Sequence, residues 1–413
     1  MLRETVEAWQ QATSTGNVLD LVQIPPGQYT LANLAHDLPE CESLPQCHVL
    51  EVLSLCLKKI DCTSKGSQDK RSIQQIASYA VKLLGQFSSP FHSVDSLAVT
   101  EKALGVLKCL VVDFAAPLDE KDLVCIAAYT DSQNAWTTTS AASSSEDVLS
   151  SSLNNDTMHK FIASTLLERF IRPVFSRTAS NRITSTGRKA YFINDDQSQV
   201  TRDPVTETTE IKPWKSTQIH AITVFAWAVK HSSEHLISKS WPLFTPVLLA
   251  LVDDAETKFK KKGLLILRDF LSRCPPHVIG NTGLGEIFEQ SVFPSLLSLP
   301  GVTPEDEALQ LLGPAYDSIT ELAQAWSQNG ETRPEKTKLL VKVLREGVLA
   351  GYWHASEYVG IVELLAQKAI PIISQLGPYA VPHLKASRGL TRATLLALTL
   401  HTGTFVHVLR HHD

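Results

Sequence analysis

The stretch 241–276, WPLFTPVLLALVDDAETKFKKKGLLILRDFLSRCPP, restricts the fold more than any other part of the chain. It predicts two helices joined by a tight turn. In the first, Phe244, Val247, Leu248, Leu251 and Val252 recur at the three-to-four spacing of one helical face. Pro242 and Pro246 fall early, where a first turn tolerates a missing N–H, and Pro246 either starts the helix or kinks it. Asp253 and Asp254 break the run, and either is placed to cap the second helix with a carboxylate at the positive end of its dipole. The second helix gathers Phe259, Gly263, Ile266, Leu267, Phe270 and Leu271 on one side and Lys258, Lys261, Lys262, Arg268 and Arg273 on the other. Cys274-Pro275-Pro276 ends it, because proline neither donates nor favours a helical residue before it.

Neither helix can bury its stripe alone. Together they form an αα-hairpin, and stacked hairpins make an α-solenoid. A helix, an aspartate turn and a basic entry into a longer helix are the pattern of a HEAT repeat; any other antiparallel helical pair is the blander reading. Similar hairpins recur at roughly 40 residues, which predicts about seven to nine irregular units. No alternating apolar and polar run of strand length interrupts them. The expected class is all-α, an irregular HEAT-like α-solenoid of the ARM type with two long polar loops.

Composition supports a large core. The 413 residues are 43% hydrophobic and 20% charged, with a formal net charge of −5, which argues against binding nucleic acid through a general positive field. The first four of seven cysteines, Cys41, Cys47, Cys56 and Cys62, stand at gaps of five, eight and five, wider than zinc sites use. Cys56 and Cys109 lie in apolar runs, where a thiol packs as a small hydrophobe. An odd cysteine count without C-x-x-C fits a reducing compartment. MLRETVEAWQQ lacks the apolar core of a secretory signal, and no uninterrupted apolar run reaches membrane-spanning length, so a soluble intracellular protein is expected.

Three regions follow from the composition shifts. Residues 1–131 form an N-terminal helical region. Residues 132–156, rich in serine and threonine, are expected to be disordered. Residues 157–413 form the helical-repeat region, with a long polar loop at 176–212.

Chemistry is sparse. No phosphate-binding P-loop, H-E-x-x-H or G-x-S-x-G is present. Gly280, Gly283 and Gly285 lie between helices rather than after a strand, so they suit positive φ between hairpins better than a nucleotide turn. Asp253, Asp254 and Glu256 have no histidine or cysteine at ligand spacing and read as capping residues. Lys258, Lys260, Lys261 and Lys262 form a solvated helix face or, on the sharper reading, a docking patch for an acidic segment. His401, His407, His411 and His412 read as a frayed terminal helix. Trp241, Trp326 and Trp353 fall near hairpin ends, mostly as core, with one or two as interface anchors. Partner binding is therefore assigned to Trp241, Lys258, Lys261, Lys262 and Trp353. The structural signature of the repeats is Trp214, Pro246, Asp253, Asp254, Gly263, Leu267, Phe270, Gly283, Pro294 and Pro300. No catalytic residue, metal ligand or cofactor site is assigned.

The block Lys212-Pro213-Trp214-Lys215, the preceding GRKAYF, the hairpin WPLFTPVLLALVDD…KKGLLILRDFL and NTGLGEIFEQSVFPSLLSLPGVTPEDEALQLLGPAY resemble the Tel-two-interacting protein two family in a fungal-like form. The resemblance is strongest over 173–316 and thin over the first 150 residues. It implies a non-enzymatic helical-repeat scaffold in the Triple T complex. The implied partners are the first interactor, itself a HEAT-repeat protein, and through it Tel-two. Indirect partners are the heat-shock-protein-90 machinery and the phosphatidylinositol-3-kinase-related kinases it matures. It also implies a place in cytoplasm and nucleus, with neither nucleic acid nor membrane as ligand. A transport-receptor-like or phosphatase-regulatory solenoid is the competing reading. An enzyme would need a deep pocket of convergent, perturbed acids or histidines.

Overall fold

A computed structural model describes residues 1–14, 29–60, 67–85, 94–176, 212–328, 331–332 and 334–383. These are helical almost throughout. The one extended pairing among them is a two-residue antiparallel ladder, Ser327–Gln328 with Glu331–Thr332. Two compact units emerge. The first takes the described residues of Met1–Val174 and Asp203–Ala228, the second those of Phe175–Arg202 and Val229–Asp413.

In the first unit, α1 (Leu2–Ser14), α2 (Leu31–Asp37), α3 (Gln46–Lys59), α4 (Ser67–Lys82), α5 (Val94–Val112), α6 (Glu120–Ala127) and α7 (Thr139–Ser152) alternate between two layers. α1, α3, α5 and α7 pack in succession, as do α2, α4 and α6. Members of the long layer start roughly 45 residues apart, the period of a HEAT unit. The physical cause lies in stripes such as Val49, Leu50, Leu53 and Leu57 of α3, all buried: one helix cannot cover them, two neighbours can.

The serine-rich stretch overturns an expectation. Residues 132–156 are ordered, and most of them are α7, capped by Thr138, whose hydroxyl accepts from the Ala141 N–H at 3.1 Å. Ala141, Ala142, Ser145, Val148 and Leu149 are buried, and the Ser145 hydroxyl donates to the Ala141 carbonyl at 2.9 Å. Low hydrophobicity misled because small side chains let α5 approach closely, and a buried serine satisfies its own hydroxyl one turn back. Trp136 is buried as well, its indole N–H donating to the Ala128 carbonyl at 3.0 Å. The boundary between units accordingly does not fall at 132–156.

The unit continues through α8 (Asn155–Lys160), closed by a reciprocal capping box between Asn154 and Thr157, into a π-helical stretch Phe161–Ile171 and α9 (Arg172–Phe175). Pro213–Lys215 then forms a single 3₁₀ turn that buries Trp214, with the Lys212 and Lys215 ammonium groups 5.6 and 5.4 Å from its ring centre. α10 (His220–Lys230) follows, its Trp227 edge-on to Phe161 at 6.2 Å.

The second unit repeats the scheme. α11 (Glu234–Val252) pairs with α12 (Thr257–Leu271); after the short α13 (Pro276–Thr282), α14 (Leu284–Leu296) pairs with α15 (Glu305–Ala325). α16 (Pro334–Lys342), a π-helical stretch Val343–Leu349 and α17 (Ala350–Ala355) lead to α18 (Val359–Leu376). α12, α15 and α18 form one layer. α11 starts earlier than the prolines suggest: Ser233 caps it, and Pro242 and Pro246 both lie inside. Neither aspartate caps α12. Asp253 closes α11, and buried Asp254 folds the turn by accepting the Glu256 N–H at 2.9 Å.

Gly263 marks where α11 and α12 touch: a β-carbon there would stand 2.7 Å from that of Leu251 and 2.8 Å from the backbone. Leu267 and Phe270 are fully buried, and Phe270 sits between Phe244 and Phe288 at ring separations of 5.6 and 6.2 Å. Gly283 takes φ +76° between α13 and α14, as expected of a glycine between hairpins. Pro294 lies inside α14 and Pro300 in the turn that follows. The 176–212 loop beyond Ser176 and short of Lys212, the terminal histidines and Cys62 lie outside the described residues.

Candidate protein-interaction surface

Among the described residues, no three histidine, cysteine, aspartate or glutamate side chains gather as metal ligands would. The thiols behave as core. Burial pushes Cys56 up to about 11 and Cys125 and Cys274 up to about 12, away from the thiolate a nucleophile needs. A 330 Å³ groove between α3 and α5 is lined by Ser54, Lys58, Gly105, Lys108, Cys109, Val112 and Asp113. The other candidate is surface for another chain to cover.

The sequence assigned five residues to that task, and the structure divides them. On α11, Trp241 is half-buried. Lys258 pairs with Glu256 at 3.1 Å and rests 4.6 Å over the Phe259 ring; Lys261 donates to Gln310 at 3.5 Å; Lys262 is half-buried. The lysine run is thus engaged with its own unit. Trp353 stands apart on α17, 72% exposed, with its ring edge-on to Tyr352 at 6.3 Å. Trp326 is core: it fills the space over Gly285, where a β-carbon would lie 2.4 Å from the indole.

The residues that sequence reasoning missed lie on the last described helix. α18 buries Ile361, Val362, Leu365, Ala369, Ile372 and Leu376 on one side. Its other side presents Val359 and Ile370, the latter 70% exposed, and the turn after it leaves Tyr379 and Val381 exposed. The signal was available: apolar residues occupy two faces of 359–376 rather than one. α11 and the helical stretch Val359–His383 both have the length and mean hydropathy of a membrane span, but their most apolar windows are 61% and 33% buried respectively. The first is a core helix. The second is buried along one side only.

A model of the family described as Tti2 family matches residues 123–395. A comparison with curated proteins finds no match.

Proposed function

The chain belongs to the Tti2 family, the Tel-two-interacting protein two family, and on that premise we propose how it acts within the Triple T complex. Membership makes it a subunit of that complex in general terms. The finer reading is a non-enzymatic scaffold that binds the first interactor subunit and, through it, Tel-two. In that assembly it works with the heat-shock-protein-90 machinery on the folding, stability and assembly of phosphatidylinositol-3-kinase-related kinases, in cytoplasm and nucleus. The observation that carries the reading is the family match, which takes in all the described residues of the second unit. The uncovered side of α18 and the exposed Trp353 support it, since large apolar side chains left facing solvent mark contact surfaces.

Affinity purification of the tagged full chain with quantitative mass spectrometry tests it. The expected result is stoichiometric recovery of the first interactor and Tel-two, together with lower steady-state levels of the kinases when the chain is depleted. Recovery of transport cargo or phosphatase subunits without kinase-maturation factors would overturn it.

A further inference from the structure

We propose that the uncovered face of α18 seats an amphipathic helix of a partner protein, apolar along one side and carrying lysine or arginine at the end that meets Glu357 and Glu363. The proposal rests on the reading of the chain as a complex subunit and adds the chemistry of what it binds.

The face is a seam. Val359, Glu363, Ala366, Ile370 and Ile373 follow one another at intervals of four, three, four and three, the spacing by which one helix lies along another. They cover about 20 Å of helix at 1.5 Å per residue, enough for roughly four turns of a partner. α15, α16, the Val343–Leu349 stretch and α17 already pack against α18, which buries Ile361, Val362, Leu365, Ala369, Ile372 and Leu376. A helix apolar on two sides is stable in water only when both are covered, and in a stack of hairpins the next helix normally supplies the cover.

Charge selects the partner. Glu357 and Glu363 stand at the start of the seam, and the Glu305 carboxylate comes within 3.8 Å of the position a β-carbon would take on Gly360. Asp306 is next to it in the chain. None of Glu305, Asp306 and Glu357 forms an ion pair with a described residue; Glu363 accepts only from Gln367, at 3.3 Å. The only cation on α18, Lys368, is held by Asp317 at 2.5 Å. One end of the seam is therefore acidic, with no ion-pairing cation among the described residues and only the α15 N-terminus to offset Glu305 and Asp306, and the rest is apolar. A basic end on the incoming helix complements it. The same acids repel the anionic lipids that draw interfacial helices to membranes, so the hydropathy of α18 points to a protein rather than a bilayer.

A photocrosslinking amino acid placed at position 370 of the full chain, in cells, reads the occupant directly by mass spectrometry of the crosslinked peptide. The expected peptide comes from another protein and has a four-three apolar stripe with lysine or arginine at one end. Ile370→Glu should lower recovery of that protein by about tenfold or more. Glu357→Lys with Glu363→Lys should lower it less, with the deficit shrinking as salt rises. Thermal melting of each variant within a few degrees of the parent excludes misfolding as the cause. Crosslinks to residues 384–413 of the same chain, to a second copy or to nothing would overturn the proposal. So would binding of the purified protein to phosphatidylserine vesicles through this face. If the crosslinked peptide has the stated chemistry but belongs to no Triple T subunit, the docking inference stands and the proposed function falls.

Discussion

The two units are built by the same rule and finished differently. In the first, the exposed large apolar side chains are Met1, Val94 and Val112, each isolated at or near a helix end. In the second, Leu297, Val302, Trp353, Val359, Ile370, Tyr379 and Val381 are exposed, all from α14 onward. Both halves bury their stripes in two layers of helices, so a shortage of core does not explain the difference. It lies in how the last described helices of each unit are faced. The first unit ends in polar devices: Trp227 donates to Glu146 at 3.0 Å, and Asn134 donates to the Thr223 hydroxyl at 2.8 Å. In the second, the last described α-helix, α18, keeps Val359 and Ile370 exposed on one flank. Among the described residues, more apolar surface is left open in the second unit than in the first.

The largest test of that contrast is Leu267→Asp. It removes a fully buried side chain between α12 and its neighbours and leaves a carboxylate without a partner, at a cost on the order of 5 kcal/mol. Hydrogen exchange should show α11 to α15 losing protection while α3, α5 and α7 keep theirs. Equal loss in both units would mean that they do not fold separately, and the contrast would fail.

Acid should act on the other unit. His220 stacks on Phe170 at 5.7 Å, and burial holds its imidazole down to about 4. The unfolded chain takes up that proton near pH 6.5, while the folded unit resists it until about pH 4. The folded state therefore binds fewer protons between these values, and stability falls as pH falls through that window, by about 1.4 kcal/mol per unit and roughly 3 kcal/mol in all. His220→Phe should flatten the pH dependence of denaturant midpoints between pH 6.5 and 4.5. An unchanged slope would clear His220 of the effect.

The same two regions show what the sequence could and could not disclose. Leu267 and Phe270 were legible because three-to-four periodicity is a direct consequence of helix geometry, and so was the all-α class. The order of 132–156 was not, because composition measures how much surface can be buried on average, and α7 is held by small residues that fit rather than by large ones. Nor was the role of Asp254. A carboxylate before a helix suggests a cap, yet the turn is longer, and Glu256 takes the capping position with no side-chain cap hydrogen bond. Exposure at the assigned positions was legible only in part. Trp353 stands exposed, whereas Lys258 is engaged with its sequence neighbours Glu256 and Phe259, and Lys261 with Gln310, which only the fold brings near.

A paired substitution sharpens the contrast at smaller scale. Gly263 and Gly105 are both mid-helix glycines, and sequence gives no reason to separate them. Gly263→Ala drives a methyl against Leu251 and Val252 and should destabilise the second unit by about 2 kcal/mol as α11 and α12 are forced apart. Gly105 faces open space, so Gly105→Ala should stabilise the first unit by up to about 1 kcal/mol through helix propensity alone. Denaturant midpoints moving in opposite directions bear this out; a shared direction would mean that Gly263 has room for a methyl or that Gly105 does not.

The smallest expected effect comes from Ala115, whose φ of +51° lies in the left-handed region. It closes α5: the Ala116 N–H turns back to the Leu110 carbonyl at 3.0 Å, and Ala116 itself is buried, so the backbone cannot relax without giving up both. Holding an L-residue there costs about 1–2 kcal/mol, which Ala115→Gly would relieve. The glycine also gives the unfolded chain more freedom, worth about 0.4–1 kcal/mol in the opposite sense. The difference favours the variant by roughly 0.5 kcal/mol, a rise in melting temperature of a degree or two confined to the first unit. A fall would mean that relief of the Ala115 backbone is smaller than the entropy that glycine returns to the unfolded chain. The end of α5 would then be held by packing around Ala116 more than by the turn.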